Sequence, residues 1–234
     1  MLYKGLYIGD HPTPEHNKYL VIYLNFAVVN AELNNYRKGL DAHCNNAFNY
    51  FCDVYAQYLP DGIKEEMNRK DGAVDQLDFL CTECKKAGQK IYLFIDEYDH
   101  FTNKILAEPG CLDDYRSETH GTGYLRNFFD TIKAGTYSSI ERVFVTGVSP
   151  VTMDDLTSGF NIGTNYTLSP RFNEMTGFTE QEVRDMLTYY TDFCGLHNYT
   201  VDELIEIMKP WYDNYCFAEE TYGETTMYNS NMVL

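Results

Sequence analysis

The chain has 234 residues, 44% of them hydrophobic, enough to bury one sizeable core with a small satellite. Its formal net charge of -17, from 18 Lys and Arg against 35 Asp and Glu, makes its surface a poor electrostatic match for nucleic-acid phosphates. No apolar run approaches the roughly 20 residues that cross a bilayer, and scattered cysteines without a secretory leader predict a cytoplasmic protein with free thiols.

The first element is YLVIYLNF, Tyr19 to Phe26. It is too apolar to alternate cleanly, which predicts a strand buried on both faces of a parallel sheet. A helical region follows from about Leu33 to Leu59, with Phe48, Phe51, Tyr55 and Tyr58 on one stripe, and Pro60-Asp61-Gly62 ends it. A second helix is expected from about Asp75 to Ala87. Within it Leu77, Leu80, Cys81 and Cys84 recur at helical spacing, so the C-x-x-C pair reads as core packing; a zinc site would need two further ligands at suitable spacing. Gly88 stops this helix and delivers the chain into a strand at Ile91 to Ile95.

Phe101 to about Thr122 is predicted to be irregular, because Pro109, Gly110 and Gly121 punctuate it. A helix over Tyr124 to Ala134 then leads to a third buried strand, Ile140 to Gly147. Ser149-Pro150 has the form of a helix start, predicting a short helix near Val151 to Leu156. Asn165 to Pro170 is a weaker fourth strand candidate. Beyond Phe172 two capping boxes, Thr179 with Glu182 and Thr200 with Glu203, each open a helix. Lys209 to Phe217, KPWYDNYCF, contains the only Trp and reads first as packing of these helices onto the core and second as an interface to a further domain. The order of elements predicts an α/β parallel-sheet core over residues 1–172 and a small helical lid over 173–234.

The run IYLFIDEYD puts Asp96, Glu97 and Asp99 directly behind a buried strand. Ligands of parallel sheets gather at the carboxyl ends of the strands, and here those ends carry Asn25, then Asp96-Glu97, then Thr146 and Ser149. This is the pattern of a nucleotide-hydrolysing site: one carboxylate holds Mg²⁺, the next polarises the attacking water, and a polar group on the neighbouring strand senses the γ-phosphate. Asp99 is expected at the surface, and His100 and His120 as ordinary loop histidines. Arg126 and Arg171 are candidates for contacting phosphate, each with a surface ion pair as the alternative.

LYKGLYIG, IYLFIDEYDHF, RVFVTGVSPVTMDDLTSGFNIGTN, GFTEQEVRDML and WYDNYCF followed by YNSNMVL together resemble the predicted AAA-ATPase-like family of bacteria, over essentially the whole chain. The resemblance implies a P-loop NTPase core of the ASCE/AAA type, with ATP and Mg²⁺ as cofactors. It implies Asp96 as the Walker B metal ligand, Glu97 as general base, and Thr146 or Ser149 as sensor. It also implies a PD-(D/E)XK nuclease-like domain beyond a YNP-like motif, where Asn229-Ser230 stands here.

That family places a strand and a Walker A loop before LYKGLYIG, and neither is in this sequence. Lys4-Gly5, Gly62-Ile63-Lys64 and Gly88-Gln89-Lys90 are no Gly-rich loop ending in Gly-Lys-Ser/Thr. The resemblance therefore implies a core lacking its first strand: three parallel strands with Ile91 to Ile95 in the middle and Ile140 to Thr146 at an opened edge. ATP turnover by this chain alone is not expected. The alternative is a non-catalytic interaction or regulatory module that keeps the fold. A metal-dependent nuclease reading finds no Glu-x-Lys after a nearby strand. ATP, a nuclease-like domain and protein partners are the implied partners, with neither membrane nor direct nucleic-acid binding.

Overall fold

The computed structural model describes residues 3–29, 36–107, 113, 116, 119–120, 123–148, 162–195, 198–213 and 215–233. Two compact units divide the chain, Met1–Gly163 and Thr164–Leu234. The first contains a one-turn helix α1 (Tyr7–Asp10), β1 (Leu20–Asn25), α2 (Tyr36–Val54), α3 (Ile63–Met67), α4 (Gly72–Lys86), β2 (Ile91–Asp96), α5 (His100–Ala107), α6 (Tyr124–Gly135) and β3 (Ile140–Val145). The strands form a parallel sheet in the order β1-β2-β3. As expected, the strand at Ile91 is central, and among the described residues β3 has no neighbour on its outer side.

Three helices cover one face of this sheet. Their apolar residues recur every three or four positions: Leu40, Cys44 and Phe48 on α2, Leu77, Leu80 and Cys84 on α4, Leu125, Phe128 and Ile132 on α6. They share one core with Ile22, Leu24, Leu93 and Ile95 of the strands. Cys81 and Cys84 belong to that core, and burial pushes their thiols up to about 12. Gly135 lets α6 meet β3, since a Cβ there would lie 2.6 Å from Ile140 Cδ1.

The expectation of strands buried on both faces is corrected. Burial alternates along β1 and β2, and the second face carries Val21 (41% exposed), Tyr23 (54%) and Phe144 (42%). The reason is topological: each strand is added on the same side of the last, and right-handed crossovers then all pass over the same face. Aromatic rings line the uncovered face. Tyr92 stacks on Phe94 with centroids 4.1 Å apart, Tyr19 meets Tyr92 edge-on at 5.7 Å, and Phe94 meets Phe144 at 6.0 Å.

Other expectations need correction as well. The segment after β2 is not irregular at its start, for His100–Ala107, free of Gly and Pro, forms α5. Asn165 to Pro170 is not a strand: Ser169 N–H donates to the Tyr166 carbonyl at 3.1 Å, and Pro170 opens a 3₁₀ turn, Pro170–Phe172. The short helix expected near Val151 lies outside the described residues.

The second unit contains α7 (Glu180–Cys194), α8 (Val201–Tyr212) and the one-turn α9 (Ser230–Val233). Both capping boxes are formed, Thr179 with Glu182 and Thr200 with Glu203. Val183, Ile205 and Tyr228 form its small core. Buried Asn173 organises the loops, its Oδ1 accepting from the backbone N–H groups of Phe217 (2.9 Å) and Ala218 (3.1 Å). Trp211 is 74% exposed. No described helix is long and apolar enough to cross a membrane.

One side chain ties three helices of the core together. Asp41 on α2 accepts the Ala73 N–H at the start of α4 at 2.7 Å and the hydroxyl of Tyr124 on α6. Asp41→Ala orphans both donors and is expected to destabilise the fold by about 1–3 kcal/mol, read as a lower urea midpoint, whereas Asp41→Asn keeps an acceptor and loses less.

Candidate functional site

The register places Asn25 beside Asp96 and Ile95 beside Val145, so the carboxyl ends of the three strands are level. The ladder runs slightly further: Thr146 N–H donates to the Ile95 carbonyl (2.9 Å) and Tyr98 N–H to the Thr146 carbonyl (3.1 Å). Thr146 is thereby held alongside Asp96.

Asp96 accepts from three sides. The Thr146 hydroxyl donates to its Oδ1, the Tyr23 hydroxyl to its Oδ2 at 3.0 Å, and the Glu97 backbone N–H to the same carboxylate. These donors, Thr146 foremost, hold the Asp96 carboxyl below its usual range despite the opposing effect of desolvation. The same contact raises the Tyr23 hydroxyl, which is more reluctant to ionise beside a carboxylate. The result is a half-exposed, ionised, oriented carboxylate.

Glu97 adopts φ 54, in the left-handed region that non-glycine residues avoid at a cost of about 1–3 kcal/mol. The turn permits Tyr98 N–H to reach Thr146 and leaves the Glu97 side chain 3.9 Å from His100 Nδ1. Strain of this kind on an acidic residue next to an oriented carboxylate is a mark of functional sites.

Asp99, expected at the surface, is fully buried. It accepts from Val148 N–H at 3.1 Å and Asn103 Nδ2 at 2.7 Å, while its carbonyl accepts the Thr102 hydroxyl at 2.8 Å. It thus starts α5 and anchors the segment after β3 to the turn after β2. Gly147 is part of the fit, since a Cβ there would lie 2.4 Å from Tyr98 Cε1 and 2.5 Å from Asp99 Oδ1.

Of the remaining candidates, Asn25 touches the cluster through a side-chain hydrogen bond to Tyr23, while Arg126 is directed to its own helix. Asn25 turns its Oδ1 to the Ala27 N–H (2.8 Å), and its own N–H donates to His43 Nε2 at 3.1 Å; burial lowers the His43 pKa and favours that neutral acceptor. Arg126 lies 3.9 Å from Asp130 on its own helix. Arg171 belongs to the second unit, its guanidinium 5.6 Å from the Phe172 ring centroid. Ser149 lies outside the described residues. Tyr23 was not among the candidates, and its sequence signal is its place two residues before Asn25, on the same strand face; Asp99 and His100 were named in and beside the acidic run but read as a surface and a loop residue.

The family described as Predicted AAA-ATPase has a model that matches residues 1–157, well over half of the chain, and the chain belongs to that family. The matched stretch falls wholly within the first unit. No curated protein and no solved structure matches the chain significantly.

Because the Asp96 pKa is depressed in the fold, its hydrogen bonds stabilise the protein at neutral pH, and that contribution is lost as pH falls through the lowered value. Thr146→Val removes the leading donor. Carboxyl-carbon NMR titration is expected to show the Asp96 pKa rising toward its ordinary value in this variant; an unchanged titration would mean that the Thr146 hydroxyl does not set it.

Proposed function

We propose that this member of the predicted AAA-ATPase-like family supplies the acidic half of an ATP-hydrolysing site, a Walker B pair with its sensor. Asp96 brings the Mg²⁺ ligand, Glu97 the base that polarises the attacking water, and Thr146 the hydroxyl that responds to the γ-phosphate, with Ser149 as the alternative sensor. The observation that carries this reading is the Asp96–Thr146 contact between the ends of neighbouring parallel strands, with strained Glu97 next in the chain.

The donor set suits Mg²⁺. Among the described residues no group of three or more His, Cys, Asp or Glu could hold a metal. One ionised carboxylate is nevertheless what this ion ordinarily takes from a protein, with water and phosphate oxygens completing the shell. When bound, the ion would neutralise phosphate charge. The hydroxyls of Thr146 and Tyr23 keep the Asp96 carboxylate aimed, and His100 lies where it can hold Glu97. Arg126 and Arg171 remain the proposed arginine contacts to phosphate.

The chain has no Gly-rich loop ending in Gly-Lys-Ser/Thr. Two carboxylates on a chain of net charge -17 repel a polyphosphate, so we assign the phosphate cradle to a strand, loop and helix outside these residues. The outer side of β3, unpaired among the described residues, and the exposed sheet face are places where they would fit. A nuclease-like domain as partner and a bacterial cytoplasmic setting belong to the same reading. The missing loop also favours a second one, a non-catalytic interaction or regulatory module.

Electron paramagnetic resonance with Mn²⁺ and calorimetry with Mg-ATP test the proposal. We expect weak Mn²⁺ binding that Asp96→Asn abolishes, and no micromolar ATP binding by this chain alone. Mn²⁺ binding that survives Asp96→Asn would refute the metal role, and tight ATP binding would refute the missing cradle. No Mn²⁺ binding at all would favour the interaction module.

A further inference from the structure

Helix α8 of the second unit has two apolar sides. Ile205, with Val201, Met208 and Tyr212 beside it, packs into the core of its unit. The side that remains outside carries Ile207 (54% exposed) and Trp211 (74%), one helical turn apart, with Tyr199 (56%) just before the helix. Tyr199 and Ile207 line an open groove of about 410 Å³ whose other walls are Asp202, Glu203 and Glu206. An exposed apolar stripe rimmed by charge is the surface form of an interaction site.

The chemistry of the groove narrows what would fill it. Apart from the Tyr199 hydroxyl, its polar side chains are carboxylates, which only accept. Asp202 and Glu203 are already engaged, the first by Arg184 at 2.6 Å and the second by the Thr200 N–H at 2.7 Å, but among the described residues Glu206 has no ion-pair partner. Pro210 lies inside the helix and has no N–H, so the Glu206 carbonyl lacks its donor from four residues on. The unit has little cationic side chain of its own to offer: between Thr164 and Leu234 the only Lys or Arg residues are Arg171, Arg184 and Lys209. Arg184 and Lys209 are bound to Glu180, and Arg171 lies over Phe172. A second copy docking through the same face would set carboxylates against carboxylates.

We propose that this face of α8 docks a cationic amphipathic peptide segment of a partner protein. Its Lys or Arg groups meet the Glu206 carboxylate and the Trp211 ring, and its apolar residues cover Tyr199 and Ile207.

Trp211 is the only Trp of the chain, so its fluorescence reports on this face directly. The full chain is titrated with a synthetic Leu/Lys amphipathic helix and with its Leu/Glu counterpart. Support is a saturable blue shift with the Lys peptide alone, weakened about tenfold by Glu206→Lys and also by Ile207→Ser. The idea falls if neither peptide shifts the emission, if both do so equally, or if the two substitutions leave binding unchanged. It also falls if sedimentation shows a dimer that Glu206→Lys strengthens, which would make a second copy the occupant. Far-UV circular dichroism monitors the fold, and Glu206→Gln, which keeps the side-chain shape, replaces any variant that loses helix.

Discussion

Everything in the first unit follows from the direction in which its strands are laid down. β1, β2 and β3 succeed one another across the sheet without reversing, and right-handed crossovers then carry α2, α4 and α6 over the same face. The cost is a sheet whose other face keeps tyrosine and phenylalanine rings in water. The gain is that three carboxyl ends arrive level at one rim, where a residue on one strand can touch the side chain at the end of the next. The level rim itself comes from the parallel direction of the strands, so a reversal of their order would cover the open face and leave the carboxyl ends at one rim.

At the rim the chain solves an electrostatic problem twice, in opposite ways. Asp96 stays half exposed and collects donors that favour its ionised form. Asp99, three residues later, is buried and gives its oxygens to a backbone N–H and a side-chain amide. The left-handed turn at Glu97 separates the two settings. One carboxylate is free enough to meet a ligand while the other holds the walls together, which is the division expected where a site must be oriented by its own frame.

Much of this was legible in the residues. The strand order, the two capping boxes, and Asp96 with Thr146 at adjacent strand ends all follow from apolar runs ending in polar residues and from Thr-x-x-Glu spacing. The open face was hidden because Tyr23, Tyr92 and Phe94 are apolar by type, so a strand with one wet face looked like one with none. The burial of Asp99 was hidden for a different reason. Its backbone donor is 49 residues away, and no local pattern announces a contact of that range.

Gly147 shows where the history of such a site would be hard to trace. Alanine at that position would change no charge, no hydrogen-bonding group and no residue of the acidic run, yet its methyl group would occupy space held by Tyr98 and Asp99. A lineage could keep every acidic residue of the rim and still lose its alignment through one methyl group. Retention of the acidic motif alone would then overstate how many descendants still work.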